Sequence, residues 1–158
     1  MVNLSKSKII THRQCSKRLW LQTYRKDLIP EIDLTTQARF DEGNRVGDIA
    51  RRIHHNGIFV DTLKKEDALI ITKEAIAKHQ AIFEAAFFEQ DVLIRADLLF
   101  PDKNGYRLVE VKSSTAVKDY HYEDATVQAW VIHQVGINLT QVALAYINNQ
   151  FVYQGDEN

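Results

Sequence analysis

Two strand-like segments joined by a short polar turn constrain the fold of this chain more than any other feature. Residues 92–100 and 106–112 are rich in Val, Ile, Leu and Phe, a composition typical of β-strands. The residues between them end in Asp-Lys-Asn-Gly, which strongly favours a tight hairpin turn. The sequence therefore predicts an antiparallel pair, and a similar segment at 82–88 extends it to three strands.

The other periodic segments predict helices around this meander. We expect helix at 5–24, in one or two pieces with Ser5 as its cap, and a second helix from Thr35 or Thr36 to about Arg52. Further helices are predicted at 66–79 and 122–135, and further strands at 58–60, 141–147 and 151–154. This order of elements is typical of an α/β sheet with helices packed on it.

The size and composition of the chain are those of one globular domain. Its 158 residues are 45% hydrophobic and 26% charged, which suffices for a real core. We expect a single domain over 1–158, with a basic helical segment at 1–30 and a core at 34–158. The chain lacks a signal-peptide pattern, an apolar run near the ~20 residues of a membrane span, and a second cysteine. We therefore expect a cytoplasmic protein with no membrane partner.

Charge is balanced overall but uneven along the chain. Twenty basic and twenty-one acidic residues give a net charge of -1, which argues against a protein that coats DNA. The first thirty residues nevertheless hold one acid, Asp27, and seven bases: Lys6, Lys8, Arg13, Lys17, Arg18, Arg25 and Lys26. Two interpretations remain open, a solvated helix face and an arm that follows a phosphate backbone.

Two acids and a lysine are expected to meet on one face of the meander. Glu110 and Lys112 share a face because side chains alternate along a strand. If Asn104 and Gly105 are the central turn residues, Asp97 faces Lys112; if the loop spans 102–105, Asp97 faces Glu110. Both registers put Asp97 on the same face as the other two, and a register differing by one residue would not.

This trio has a chemical use and a structural alternative. Two carboxylates hold a hard cation such as Mg²⁺, which polarises a phosphate and lowers the pKa of a bound water. A lysine beside them offsets charge in the transition state. The alternative is a buried acid–lysine ion pair that serves only the fold.

The spacing of these residues resembles the PD-(D/E)XK nuclease superfamily. The pattern stands here as Ala96-Asp97, a gap of twelve residues, then Glu110-Val111-Lys112. The run 109–114 (Val-Glu-Val-Lys-Ser-Ser) and the segment 14–21 (Gln-Cys-Ser-Lys-Arg-Leu-Trp-Leu) are similar to the RecB-like and CRISPR-associated exonuclease branch. The resemblance also includes the following helix, with Asp124 and Gln128, and it extends from about residue 5 to 154.

The resemblance implies a restriction-endonuclease-like core, with a central mixed sheet that contains an antiparallel three-strand meander and is flanked by helices. It implies that Asp97 and Glu110 are metal ligands and that Lys112 is the catalytic lysine. Gln128 matches the family's helical glutamine near metal and DNA, although its usual tyrosine partner is Ile132 here. Glu84 matches a strand acid of this branch, and an edge-strand charge is the competing interpretation.

Two departures from the family pattern affect the ligands. Many relatives place a histidine ligand before the sheet, but residues 43–47 contain none. Glu42, Asp48, His54 and His55 are the available substitutes, and we prefer Glu42 as the third metal ligand. Iron–sulfur members need four cysteines, whereas this chain has only Cys15, so no cluster is expected and Cys15 is predicted to be a small buried residue.

The resulting expectation is a Mg²⁺- or Mn²⁺-dependent deoxyribonuclease, exonuclease-like on DNA ends or single strands. Lys17 and Arg18 are the candidate phosphate contacts. Tyr120 is a candidate for stacking on bases, with packing under a helix start as the alternative. The competing functional hypothesis is a catalytically weak nuclease fold that serves as a DNA-binding or protein-interaction module. The chain is also compatible with being one domain of a longer protein, so further domains or protein partners remain open.

Overall fold

The structure of the protein, a computed structural model, describes residues 4–155. Its elements in chain order are β1 (Leu4–Ser5), α1 (Lys6–Gln14), α2 (Ser16–Tyr24), a 3-10 turn (Lys26–Leu28), α3 (Leu34–Arg51), β2 (Ile58–Phe59), α4 (Lys65–Ala77), β3 (Ile82–Glu89), β4 (Val92–Asp102), β5 (Gly105–Lys112), α5 (Asp119–Gln134) and β6 (Leu139–Tyr146). No helix in this range is long and apolar enough to cross a membrane.

The strands of residues 4–155 form one mixed, six-stranded sheet flanked by helices. Its order is β2-β3-β4-β5-β6, and β1 pairs with the start of β4. The three central strands are antiparallel, whereas β2 and β6 run parallel to their neighbours. The predicted α/β class and the predicted meander are therefore confirmed.

The β4–β5 register is one of the two expected from the turn. Pro101 pairs with Tyr106, so the register with Asn104 and Gly105 at the centre of the turn is wrong. The ladder continues one pair further, to Asp102 and Gly105, where the glycine has φ 154° and a Cβ would collide with the Asn138 backbone. Extended in the other direction, this register brings Asp97 opposite Glu110.

Apolar side chains cover both faces of the sheet. The larger core joins the sheet to α4 and α5 and includes Ala68, Ala75, Ile82, Ile94, Ala96, Leu99, Leu108, Val131 and Ile132. The smaller core joins the other face to α3 and includes Ala50, Ala81, Phe83, Leu98 and Phe100. Beside this second core, α3 and the sheet line a cavity.

The predicted N-terminal cap is confirmed for α1 but is wrong for α3. Ser5 caps α1, since its hydroxyl accepts the Lys8 N–H at 3.3 Å. The helical region is in two pieces because the backbone of Cys15 is extended, at φ -166° and ψ 109°. The prediction of Thr35 or Thr36 as the cap of α3 is wrong: Asp33 Oδ1 accepts the Thr36 N–H at 2.6 Å.

Three further expectations need correction. Helix α5 begins at Asp119, three residues before the predicted start, because His121 Nδ1 accepts the Lys118 N–H and caps the first turn. The predicted strand at 151–154 does not form: this segment is exposed and pairs with no strand of the described residues, although the outer edge of β6 is free. Cys15 is exposed rather than buried, because it lies at the break between α1 and α2.

Candidate active site

A cavity of about 480 Å³ lies between α3 and the ends of the three central strands. Its acidic wall consists of Glu84 from β3, Asp97 from β4 and Glu110 from β5. Two of the four residues predicted to be catalytic, Asp97 and Glu110, therefore line one cavity. Lys112 and Gln128 do not line it, but both contact Glu110 directly.

Glu84 has an unusual backbone within β3. Its φ is 56°, the left-handed region that non-glycine residues seldom occupy. Around the same level the strand alternation changes phase: Ala96 belongs to the larger core, whereas Leu98 belongs to the smaller one. Burial raises the pKa of the half-buried Glu84 carboxyl. In the sheet order β3 lies between β2 and β4, but β2 pairs only with Ile82 and Phe83, so Glu84 lies just past that pairing and both interpretations of its charge stay predictions.

Asp97 is held against the neighbouring strand by its own side chain. Its Oδ2 accepts the Val111 N–H at 2.7 Å, beyond the last backbone pair of the β4–β5 ladder, Leu98 with Val109. Burial and the nearby Glu110 charge raise the pKa of Asp97 to about 7, despite the opposing effects of Lys6 and this hydrogen bond. The site therefore holds two carboxylates whose charges repel each other.

Glu110 is the most densely bonded group of the site, although only 1% of the residue is exposed. Its Oε1 accepts from Lys112 Nζ at 2.7 Å and from Lys6 Nζ at 2.9 Å, and its Oε2 accepts from the Gln128 amide. Burial alone would raise the pKa of Glu110. The two lysines and the amide outweigh burial and lower it, so the carboxylate is ionised.

Helix α5 presents a second set of polar groups to the end of β5. Asp124 and Gln128 are four residues apart and so lie on one helix face. Lys112 Nζ donates to the Asp124 carboxylate as well as to Glu110, and the two acids raise the pKa of Lys112 in spite of its partial burial. Gln128 is fully buried, and its Oε1 accepts no hydrogen bond from the described residues.

Lys6 is the site residue that sequence reasoning missed. The sequence places it only in the basic N-terminal cluster, whereas in the structure it is the first residue of α1 and contacts Glu110 across 104 positions of sequence. A signal was present, because a lysine in the first turn of a helix opposes the helix dipole and α1 has no acid there. Such a lysine needs an acidic partner from elsewhere in the fold.

The α3 wall of the cavity contains both helix glycines. A Cβ at Gly43 would meet nothing within 4 Å, and one at Gly47 would meet only the Arg51 guanidinium at 3.8 Å. Close packing therefore does not explain these glycines, whereas an open wall beside a ligand would. On the same wall Arg51 pairs with Asp48 and stacks on the Phe59 ring, 4.3 Å from its centroid.

The remaining predicted site residues lie outside this cluster. Glu42 is exposed on α3 and does not line the cavity, whereas Asp48 does. Lys17 and Arg18 are exposed on α2, beside a separate groove. Tyr120 is 43% exposed in the first turn of α5, where its ring lies edge-on against the His121 ring. The roles of Glu42, Lys17, Arg18 and Tyr120 stay predictions.

The donor set fits a hard divalent cation that keeps part of its water shell. Within residues 4–155 no three His, Cys, Asp or Glu side chains form a complete metal site. Mg²⁺, however, is commonly bound through one or two carboxylates with waters completing the shell. Burial is the main cause of the raised pKa of Asp97 and the Glu110 charge adds to it, so a cation in the cavity would favour the ionised carboxylate.

Fold and site together define an α/β protein with an acid–lysine cluster at the end of a mixed sheet. The chain matches no known protein-family model, and no curated protein sequence matches it significantly. Its chemistry therefore has to be inferred from the geometry of Asp97, Glu110 and the residues around them.

Proposed function

We propose that the protein is a metal-dependent nuclease that hydrolyses DNA phosphodiester bonds at ends or in single strands. The observation that carries this proposal is that Asp97 and Glu110 line one cavity while Lys112 is held against Glu110. Two acids and a lysine at the ends of adjacent strands are the groups that the PD-(D/E)XK resemblance implies. The open α3 wall leaves space for a phosphate in front of the two acids.

Asp97 and Glu110 would hold the cation, and Glu84 faces the same cavity as a further oxygen donor. When bound, Mg²⁺ or Mn²⁺ would polarise the phosphate and make water a stronger acid. The protein's own part is to keep both acids in place. Val111 N–H fixes one oxygen of Asp97, and the Gln128 amide fixes one oxygen of Glu110.

Lys112 is suited to stabilise negative charge that develops on a phosphate. Its ammonium is positioned between Glu110 and Asp124, and 18% of its side chain is exposed. A pre-positioned cation of this kind acts mainly in the transition state, because the site does not have to reorganise as charge develops. Asp124 is then a positioning residue, since it acts through Lys112.

The experiment that tests the proposal is Lys112→Ala, assayed on labelled single-stranded and duplex DNA with Mg²⁺ or Mn²⁺. We expect cleavage to fall by ~10²–10³ while affinity for DNA and metal changes little, because the lysine acts as charge develops. The variant should fold, since Lys6 and Gln128 still donate to Glu110. Lys103→Ala, in the exposed β4–β5 turn, removes the same charge as a control.

The competing hypothesis is a binding module built on a nuclease fold. One observation favours it: Glu110 already has side-chain donors on both carboxylate oxygens. Under that hypothesis neither DNA affinity nor melting temperature responds to Mg²⁺ or Mn²⁺, and no cleavage is detected. A folded Lys112→Ala protein that cuts at the rate of the unaltered protein would refute the nuclease mechanism itself.

A further inference from the structure

Two ammonium groups share one oxygen of Glu110. Lys112 Nζ lies 2.7 Å and Lys6 Nζ 2.9 Å from Oε1. Lys112 belongs to the same strand as Glu110, whereas Lys6 reaches it from the start of α1. Helix α1 is placed there by β1, which pairs with β4 at Val92 and Leu93.

We propose that Lys6 is an internal competitor of the metal ion, bound to Glu110 in the metal-free protein and displaced when a divalent cation binds. Lys6 thereby sets the affinity of the site for metal. The inference rests on the proposed function, because it concerns regulation of the same site.

The Glu110 carboxylate has few free lone pairs for a metal ion, which supports displacement of Lys6. A carboxylate oxygen has two lone pairs, and both lone pairs of Glu110 Oε1 are engaged by lysines. Oε2 accepts one hydrogen bond, from the amide of the buried Gln128, and keeps its second lone pair, so a cation that used Oε2 alone would leave both lysines in place. A cation that uses Oε1 must therefore remove one of the two ammonium groups.

Lys6 is the lysine that leaves. Lys112 has a second carboxylate partner in Asp124, which keeps it in place when Glu110 is taken by a cation. Within residues 4–155 Lys6 has no second carboxylate within ion-pair distance. The positive end of the α1 dipole also repels its ammonium. Among the described residues Glu110 is its one direct ion-pair partner, with the charges of Asp97 and Glu84 acting on it from further away.

Displacement is tested first by calorimetric titration of Mn²⁺ without DNA, at about pH 8.5 so that Asp97 is ionised throughout. Lys6→Met should bind Mn²⁺ about tenfold more tightly or better, because a charge-assisted hydrogen bond no longer has to be broken. Lys6→Arg keeps the charge and should bind like the unaltered protein. Lys78→Met, on the exposed cap of α4, controls for the loss of one positive charge.

Unchanged or weaker binding by Lys6→Met would overturn the inference, since it would make Lys6 a supporting group instead of a competitor. The same gain in Lys78→Met or in Lys6→Arg would overturn it too, because neither change removes a competing charge from Glu110.

The second measurement uses the unaltered protein and so does not depend on whether a variant folds. Amine acetylation is followed residue by residue by mass spectrometry, with and without Mn²⁺. Acetylation of Lys6 should become several-fold faster at saturating metal, because its ion pair is released, while Lys78 keeps its rate. An unchanged Lys6 rate at metal saturation overturns the inference.

These results separate the inference from the proposed function. Metal-dependent cleavage together with an unchanged Lys6 would overturn the inference alone. A protein that neither binds Mn²⁺ nor cuts DNA would overturn both.

Discussion

The Glu110 carboxylate can be buried in a strand because three side chains donate hydrogen bonds to it. A charge so deep in the protein requires partners, and removing one partner of a buried pair typically costs about 3–5 kcal/mol. Lys6, Lys112 and Gln128 together supply three donors. Two of them were predicted from the sequence as site residues, whereas the role of Lys6 depends on the pairing of β1 with β4.

Asp97 should make the metal-free protein less stable as the pH rises. Its folded-state pKa of about 7 lies above the ordinary value of 3.8, so between these values the folded protein binds more protons than the unfolded chain. Stability therefore decreases as pH rises through this interval, by on the order of 4 kcal/mol. Urea unfolding of the metal-free protein between about pH 4 and pH 8 measures this decrease.

Asp97→Asn is the reference for that measurement, because asparagine does not titrate. The difference between the two stability curves isolates Asp97 from His121, whose lowered pKa, caused by burial and the nearby Lys112, acts in the opposite direction in both proteins. Parallel curves for Asp97→Asn and the unaltered protein would show that Asp97 is ionised without penalty.

At the scale of elements, α3 is less stable at the cavity wall than it could be, because it contains a glycine there. Gly43 lies inside the helix, where alanine is better by roughly 1 kcal/mol, and a Cβ there would meet nothing within 4 Å. Gly43→Ala should therefore raise the melting temperature by about 2–4 °C. If the glycine leaves room for DNA, the same variant should cut DNA more slowly, and thermal melts beside cleavage assays measure both effects.

Gly57→Ala should lower the melting temperature, and this variant serves as the control for Gly43→Ala. A Cβ at Gly57 would collide with the Phe83 ring, which belongs to the smaller core. A Gly43→Ala protein that is more stable and equally active would show that the α3 wall does not contact substrate.

Helix α2 should contribute to DNA binding through charge alone. Lys17 and Arg18 are exposed there, and each phosphate contact contributes about -0.7 to -0.9 to the slope of log affinity against log salt. Changing both to Ala should flatten this slope without altering sequence preference. Fluorescence anisotropy over a salt series measures it, with the exposed Lys64 and Lys78 changed to Ala as the matched pair. Equal slopes in both double variants would assign Lys17 and Arg18 to a solvated face.

Across the whole molecule, the sheet joins three distant parts of the chain at one carboxylate. Glu110 on β5 contacts Lys6 from α1 and Gln128 from α5, and an exposed ion pair between Arg13 and Glu123, 2.9 Å from nitrogen to oxygen, also links α1 to α5. A ligand at this junction is therefore linked to the stability of the entire fold, because these elements come together only when the chain is folded.

Metal should stabilise the folded protein as a whole. Binding to the native state alone adds roughly 2.7 kcal/mol at a hundredfold excess over the dissociation constant, which scanning calorimetry with Mg²⁺ or Mn²⁺ detects as a higher melting temperature. Asp97→Asn should abolish this rise, since it removes one of the two ligands. Asp102→Asn, which neutralises an exposed acid at the end of β4, should leave it intact. A full metal effect in Asp97→Asn would show that the ligands lie elsewhere.

The sequence by itself determined the elements and the central pairing. Alternating apolar residues, the turn at 102–105 and Ser5 act over a few positions, so β4, β5 and the start of α1 could be predicted, and with them the convergence of Asp97 and Glu110. Local composition did not predict the structure where a segment needs a neighbouring strand to pair with. The segment 151–154 has a strand-like composition, yet no strand lies beside it.

Only the tertiary structure decided which groups surround those two acids. The contact of Lys6 with Glu110, the left-handed backbone of Glu84 and the open wall at Gly43 depend on how the sheet twists and where α1 and α3 pack. Such contacts join residues up to 104 positions apart. Their geometry depends on the whole fold, because periodicity and turn chemistry specify neighbours along the chain but not across it.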